Sequence, residues 1–149
     1  MRAATADASG GTTMTGAYVD TSGLYAVFDA DDSVHSVAAQ RWQGLLDSNA
    51  SLHTCSYVLV ELSALLQRRL GVGAVDALQT YVLPWVNVLW VDEALHAQAV
   101  AGLLAARRRD LSLVECVGFA AMRRLGLRRV FTFDEHFGQQ GFTLLPSAG

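Results

Sequence analysis

Ala17-Tyr18-Val19-Asp20-Thr21-Ser22-Gly23 is the stretch on which the fold turns. Three residues suited to a strand end at a carboxylate. Two hydroxyls and a glycine follow at once. Open α/β sheets bind their ligands outside the carboxyl ends of the strands, so an acid at the tip of an apolar strand marks a site more readily than a packing position. Three further acids stand in comparable settings, namely Glu61, Glu115 and Asp134. The reading depends on whether these four scattered residues meet.

Working outward, strands and helices alternate. Short strands are expected at 17–19, 51–55, 86–91 and 129–133, with a fifth at 142–145. Helices are expected at 22–28, 34–48, 57–70, 75–83, 92–107 and 112–125. Asp32 or Ser33 is the expected N-cap of the second helix, and Asp92 that of the fifth. Gly71 and Gly126 close two helices, and Pro84 stops another. This alternation predicts an α/β domain in three layers, with helices on both faces of a four- to five-stranded, mainly parallel sheet.

The chain has 149 residues and reads as one domain spanning 17–149. Residues 1–16, rich in Ala, Thr, Gly and Ser, are expected to be a disordered arm or an added extension, and Met14 offers an alternative start. No run approaches the ~18 apolar residues of a membrane span. Arg2 is not followed by the apolar segment of a secretory signal, so a cytoplasmic location is expected. Cys55 and Cys116 lie in apolar stretches and are expected to be reduced core thiols.

The net charge of −3 argues weakly against nucleic acid. Yet all 11 basic residues are arginine, and seven of them fall between Arg107 and Arg129. Arginine is the better residue for bidentate phosphate contacts. A GC-rich genome accounts for the arginine bias equally well. Neither G-x-G-x-x-G nor a P-loop is present, and Cys/His spacing suited to zinc is also lacking.

Each acid has a bland alternative. Asp20 and Asp134 would also serve as helix N-caps. Ser112-Leu113-Val114-Glu115 is a capping box that alone accounts for Glu115. Glu61 lies among Tyr57, Val58, Ala64 and Leu65 at helical spacing, so it is expected to face the core, where an unpaired charge is costly; the alternative is a Glu at the edge of the stripe that reaches solvent. Asp110, after three arginines, is a spare acid in the same neighbourhood. Several carboxylates in one crevice repel, and an all-oxygen set selects Mg²⁺ or Mn²⁺, ions that most often serve phosphate chemistry.

In order and spacing, these positions resemble the PIN-domain family, in particular the VapC toxins of bacterial toxin–antitoxin pairs. Val19–Gly23 is similar to the family's opening strand and acid, and Tyr57–Glu61 to its helix acid. Leu111–Gly126 resembles its S-L-V-D segment, and Phe131–Phe137 with Gly141-Phe142 its last acid and closing strand. The chain departs at Glu115, where the family usually has Asp.

The resemblance implies a metal-dependent endoribonuclease. Asp20, Glu61, Glu115 and Asp134 would hold one or two Mg²⁺ or Mn²⁺ ions, while Thr21, Ser22 and Ser112 would orient water or a phosphate. It further implies tRNA or rRNA as substrate, a homodimer, and a VapB-type antitoxin that covers the site. His136 lies near the expected site but reads as a structural loop residue. A decayed site acting as an RNA- or protein-binding module stays open through Glu115, as does a non-toxin RNA-processing nuclease. A signalling receiver domain would require a lysine after its last strand, and the chain has none. An aspartyl phosphatase would want a second Asp where Ser22 stands.

Overall fold

The structure is a computed structural model that describes residues 16–146. The expectations for residues 1–15, including Met14, lie outside the described residues. Five strands form one sheet: β1 (Ala17–Val19), β2 (Leu52–Cys55), β3 (Asn87–Leu89), β4 (Arg129–Phe131) and β5 (Thr143–Leu145). Their spatial order is β3-β2-β1-β4-β5, and every pairing is parallel. The chain fills one side of β1 and then returns to fill the other. A crevice therefore opens at the carboxyl ends of β1 and β4, the place where such sheets bind ligands.

Alternation along the strands sends side chains to two separate cores. Ala17, Val19 and Phe131 pack with Leu24, Leu45 and Leu62. Those partners come from α1 (Thr21–Phe28), α2 (His35–Asp47) and α3 (Ser56–Leu70). Tyr18 and Val130 point the other way, onto Leu95, Val117 and Phe137. These belong to α5 (Glu93–Ala106), α6 (Leu113–Leu125) and the short α7 (His136–Gln139). The sheet is thus covered on both faces, as the alternating pattern required.

Gly23 is set by space. A Cβ built there would lie 2.5 Å from the carbonyl oxygen of Phe131, the same oxygen that accepts the Asp20 N–H at 3.0 Å. A bare Cα lets α1 press on β4, which brings the ends of the first and fourth strands together. Cys55 and Cys116 are free and buried, as expected.

Some boundaries differ from the expectation. In place of a helix at 75–83, α4 (Val72–Ala77) starts at Gly71 and passes into a π-helical turn at Leu78–Val82 and a 3₁₀ turn at Leu83–Trp85. Pro84 has no N–H to give the carbonyl of Thr80, so the α-helical pattern is abandoned before it. Neither Asp32 nor Ser33 is the cap residue of α2; that position falls to Val34. Asp32 Oδ1 instead accepts the Val34 N–H at 2.9 Å, a local turn leading into the helix. Asp92 caps α5 as expected, accepting the Leu95 N–H at 2.8 Å. β3 is shorter than expected and forms one edge of the sheet.

Candidate active site

Asp20 ends β1 and stands at the N-cap position of α1, yet its side chain does not cap the helix. Its carboxylate accepts a hydrogen bond from the Thr132 hydroxyl at 3.1 Å. Only 5% of the residue is exposed. Burial pushes its carboxyl up to about 7, aided by the charges of Glu115 and Glu61 and opposed by hydrogen bonds from the Thr21 backbone and Thr132.

Thr132 is the hub of this region. Besides donating to Asp20, its oxygen accepts the Asp134 N–H at 3.0 Å and lies 2.9 Å from Ser22 Oγ. Ser22 Oγ in turn accepts the Phe133 N–H at 2.9 Å. Since the Thr132 hydrogen goes to Asp20, the Ser22 hydroxyl donates to Thr132. Sequence reasoning missed Thr132. The available signal was one hydroxyl between Phe131 and Phe133, two residues before Asp134. Ser22 is therefore engaged in clasping the β1–α1 junction to the end of β4.

Glu115 makes the expected capping box at the start of α6. The Ser112 N–H donates to Glu115 Oε1 at 2.9 Å, and the Glu115 N–H donates to Ser112 Oγ at 3.0 Å. Its other oxygen, Oε2, lies 2.7 Å from His136 Nδ1. The cap and a site position coexist in one side chain. Burial, followed by the neighbouring Asp134 carboxyl, raises the Glu115 pKa.

Asp134 is half-buried; its Oδ1 accepts the His136 N–H at 2.9 Å and lies 3.1 Å from His136 Nδ1. Glu115, Asp134 and His136 can together present donor atoms within 4.8 Å of one another. The Glu115 hydrogen bond holds the His136 imidazole above its usual pKa. His136 therefore belongs to the site, which corrects the reading of it as a structural loop residue.

Asp110 is placed differently from expectation. It is exposed and does not line the cavity described below. Arg108 holds it through two hydrogen bonds of 2.8 and 3.2 Å and keeps its carboxyl down at about 2. Its contact with the site is indirect, through His136 Nε2 at 3.3 Å.

Asp20, Glu61, Glu115 and Asp134 line one cavity of about 350 Å³, together with Thr21, Ser22 and Ser112. Glu61 is exposed, which corrects the expectation that it faces the core and agrees with the alternative of a Glu at the edge of the stripe. The buried stripe of α3 is Val58, Leu62 and Leu66; Glu61 sits beside that stripe, so its carboxylate meets the cavity rather than the interior. Asp32, from the α1–α2 loop, adds a fifth acid to the lining.

The donor set suits a hard divalent cation. All of the acids offer oxygen, and two of them, Asp20 and Glu115, resist ionisation where they stand because of burial and neighbouring carboxyl groups. Thr21 Oγ1, also at this cavity, is buried without a hydrogen-bond partner. A polar atom left in that state is the mark of a site built for something further.

Residues 17–142 match the family model described as PIN domain. The chain is 33% identical over 126 residues to the 23S rRNA-specific endonuclease VapC20 of two Mycobacterium tuberculosis strains, covering 84% of this chain and 94% of the relative. Among solved structures, it is similar to the crystal structure of M. tuberculosis VapC20, described as a sarcin-ricin loop cleaving toxin. The TM-score is 0.74 at 32% identity, covering 85% of this chain and 96% of that one.

Proposed function

The chain belongs to the PIN-domain family, and from that premise we propose that it is a VapC-type toxin, a metal-dependent endoribonuclease that hydrolyses RNA phosphodiester bonds. The observation that carries this reading is the meeting of Asp20, Glu61, Glu115 and Asp134, from four separate parts of the chain, in one cavity. Likeness to VapC20 supports ribosomal RNA as the substrate class.

The four carboxylates would hold Mg²⁺ or Mn²⁺. Such an ion supplies Lewis-acid chemistry, lowering the pKa of water and offsetting charge on the phosphoryl oxygens. The protein's own residues do the rest. Thr132 fixes the Asp20 carboxylate, the Ser112 cap fixes Glu115, and the Thr21 hydroxyl is the unspent group free to orient a water or a phosphate oxygen. Arg107 and Arg109 lie in the exposed loop that precedes Asp110 and suit contacts with RNA backbone.

A VapB-type antitoxin is the partner that family membership suggests. Self-association is supported by an apolar groove of about 940 Å³ along the β3 edge, bordered by Val60 and Trp90, with Trp85 exposed nearby. Among the described residues no helix is long and apolar enough to cross a membrane, and an RNA substrate suits action in the cytoplasm.

The test is cleavage of structured ribosomal RNA by purified protein with Mg²⁺ or Mn²⁺, set beside EDTA-treated protein and the Asp20→Ala variant. Cleavage is expected only in the untreated wild type. Cutting that survives both EDTA and Asp20→Ala would overturn the mechanism.

A further inference from the structure

We infer that His136 is the positioning residue that holds Glu115 and Asp134 together for a divalent cation, its Nδ1–H donating to Glu115 with the Asp134 carboxylate alongside, and that it is not a metal ligand. The inference rests on the metal-dependent reading above.

The two carboxylates arrive on different elements, one at the start of α6 and one after β4. Left alone, like charges move apart. His136 Nδ1 lies 2.7 Å from Glu115 Oε2 and 3.1 Å from Asp134 Oδ1, bridging the pair. The ring is itself anchored on the far side. Nε2 lies 3.3 Å from Asp110 Oδ2, and Asp110 is gripped by Arg108. Arg108 also donates to Gln139 Oε1 at 3.0 Å, which ties the chain of contacts to α7. The His136 N–H meets Asp134 Oδ1 as well. A ring held at Nδ1, at Nε2 and through its own backbone is a built part of the site.

Accounting for lone pairs favours this positioning role. Glu115 Oε1 accepts from Ser112 N–H and Oε2 from His136, so each oxygen keeps one further lone pair for a cation. Partners that orient ligating groups in this way typically govern metal affinity by about 10- to 100-fold.

The test uses side-chain geometry. Asparagine carries its N–H₂ on the same atom, counted from the backbone, as histidine carries Nδ1. Glutamine places it one bond further out, nearer to where Nε2 reaches Asp110. Mn²⁺ affinity is measured by electron paramagnetic resonance on metal-stripped wild type, His136→Asn, His136→Gln and His136→Ala, each checked for folding by circular dichroism. Wild type and His136→Asn are expected to bind within about 3-fold of each other, and His136→Gln and His136→Ala about 10-fold or more weakly. Excess Mn²⁺ should restore cleavage to the weak binders. Wild-type affinity in all variants overturns the inference while leaving the metal-dependent reading intact. Equal losses in His136→Asn and His136→Ala also overturn it, since that outcome assigns the imidazole to the ion directly. A wild type that binds no Mn²⁺ defeats the underlying reading itself. If His136→Ala fails to fold, His136→Asn against His136→Gln still decides the matter.

Discussion

Replacing Asp20 with Asn should make the metal-free protein more stable while abolishing its chemistry. Asp20 is buried, and its carboxyl is raised from 3.8 to about 7. Folding with that group ionised therefore costs up to about 4 kcal/mol, at roughly 1.4 kcal/mol per tenfold change in proton affinity. Water entering the cavity lowers the figure, so a range of about 2–4 kcal/mol is reasonable. The sign follows from proton binding. The folded state holds the Asp20 proton more tightly than the unfolded chain, so this group favours folding at low pH. Its contribution is complete below about pH 4 and lost as pH rises towards 7. Asn has the same shape, keeps an oxygen for the Thr132 hydroxyl and carries no charge. Thermal unfolding by circular dichroism in EDTA at pH 8 should show a melting point raised by roughly 5–15 °C in Asp20→Asn. The gain should shrink at pH 5. Adding Mn²⁺ should raise the melting point of the wild type and leave the variant unmoved. An Asp20→Asn protein no more stable than wild type at pH 8 would refute the claim that this carboxylate is strained without a cation.

Other outcomes follow from the same geometry. Gly23→Ala sets a methyl group 2.5 Å from the Phe131 carbonyl oxygen, so denaturant unfolding should register a loss of about 1–3 kcal/mol, and cleavage should fall as the strand ends part. Thr132→Val removes the hydroxyl shared by Asp20, Asp134 and Ser22; a stability loss of about 1–3 kcal/mol with weaker Mn²⁺ binding is expected, and unchanged Mn²⁺ affinity would count against the hub. Glu115→Gln separates capping from catalysis, because glutamine also completes a capping box; stability should stay within about 1 kcal/mol while cleavage of ribosomal RNA collapses. Binding of catalytically dead protein to RNA should weaken linearly in log salt, and Arg107→Ala with Arg109→Ala should flatten that slope by about 0.7 for each phosphate left unneutralised.

Much of the site is readable because its signals are local. Asp20 stands at a strand tip with small polar residues behind it, and Glu115 completes a capping box three residues after Ser112. Both patterns need only neighbours in the chain. Glu61 was harder. Apolar residues at three and four positions on either side mark the helix as amphipathic, but they do not say on which arc the sheet presses. The buried arc runs through Val58, Leu62 and Leu66 and leaves Glu61 at its edge. Thr132 escapes notice and His136 reads as structural because their roles come from partners far along the chain. Thr132 reaches Asp20 across 112 positions and His136 reaches Glu115 across 21. Asp32 reads as a helix cap and proves to be a turn residue that also borders the cavity. The segment 72–85 kept its helical character but not its geometry, because Pro84 forces a departure whose form depends on packing.

The order of the strands has a consequence for the cell that makes this protein. Of the five described strands the central one is made first, while its neighbour at the cavity, followed by Thr132, Asp134 and His136, is the fourth. A nascent chain emerging from the ribosome thus carries Asp20 and Glu61 long before it can assemble the pocket around them. An enzyme that attacks RNA would remain harmless to the particle translating it until the fourth strand has been made.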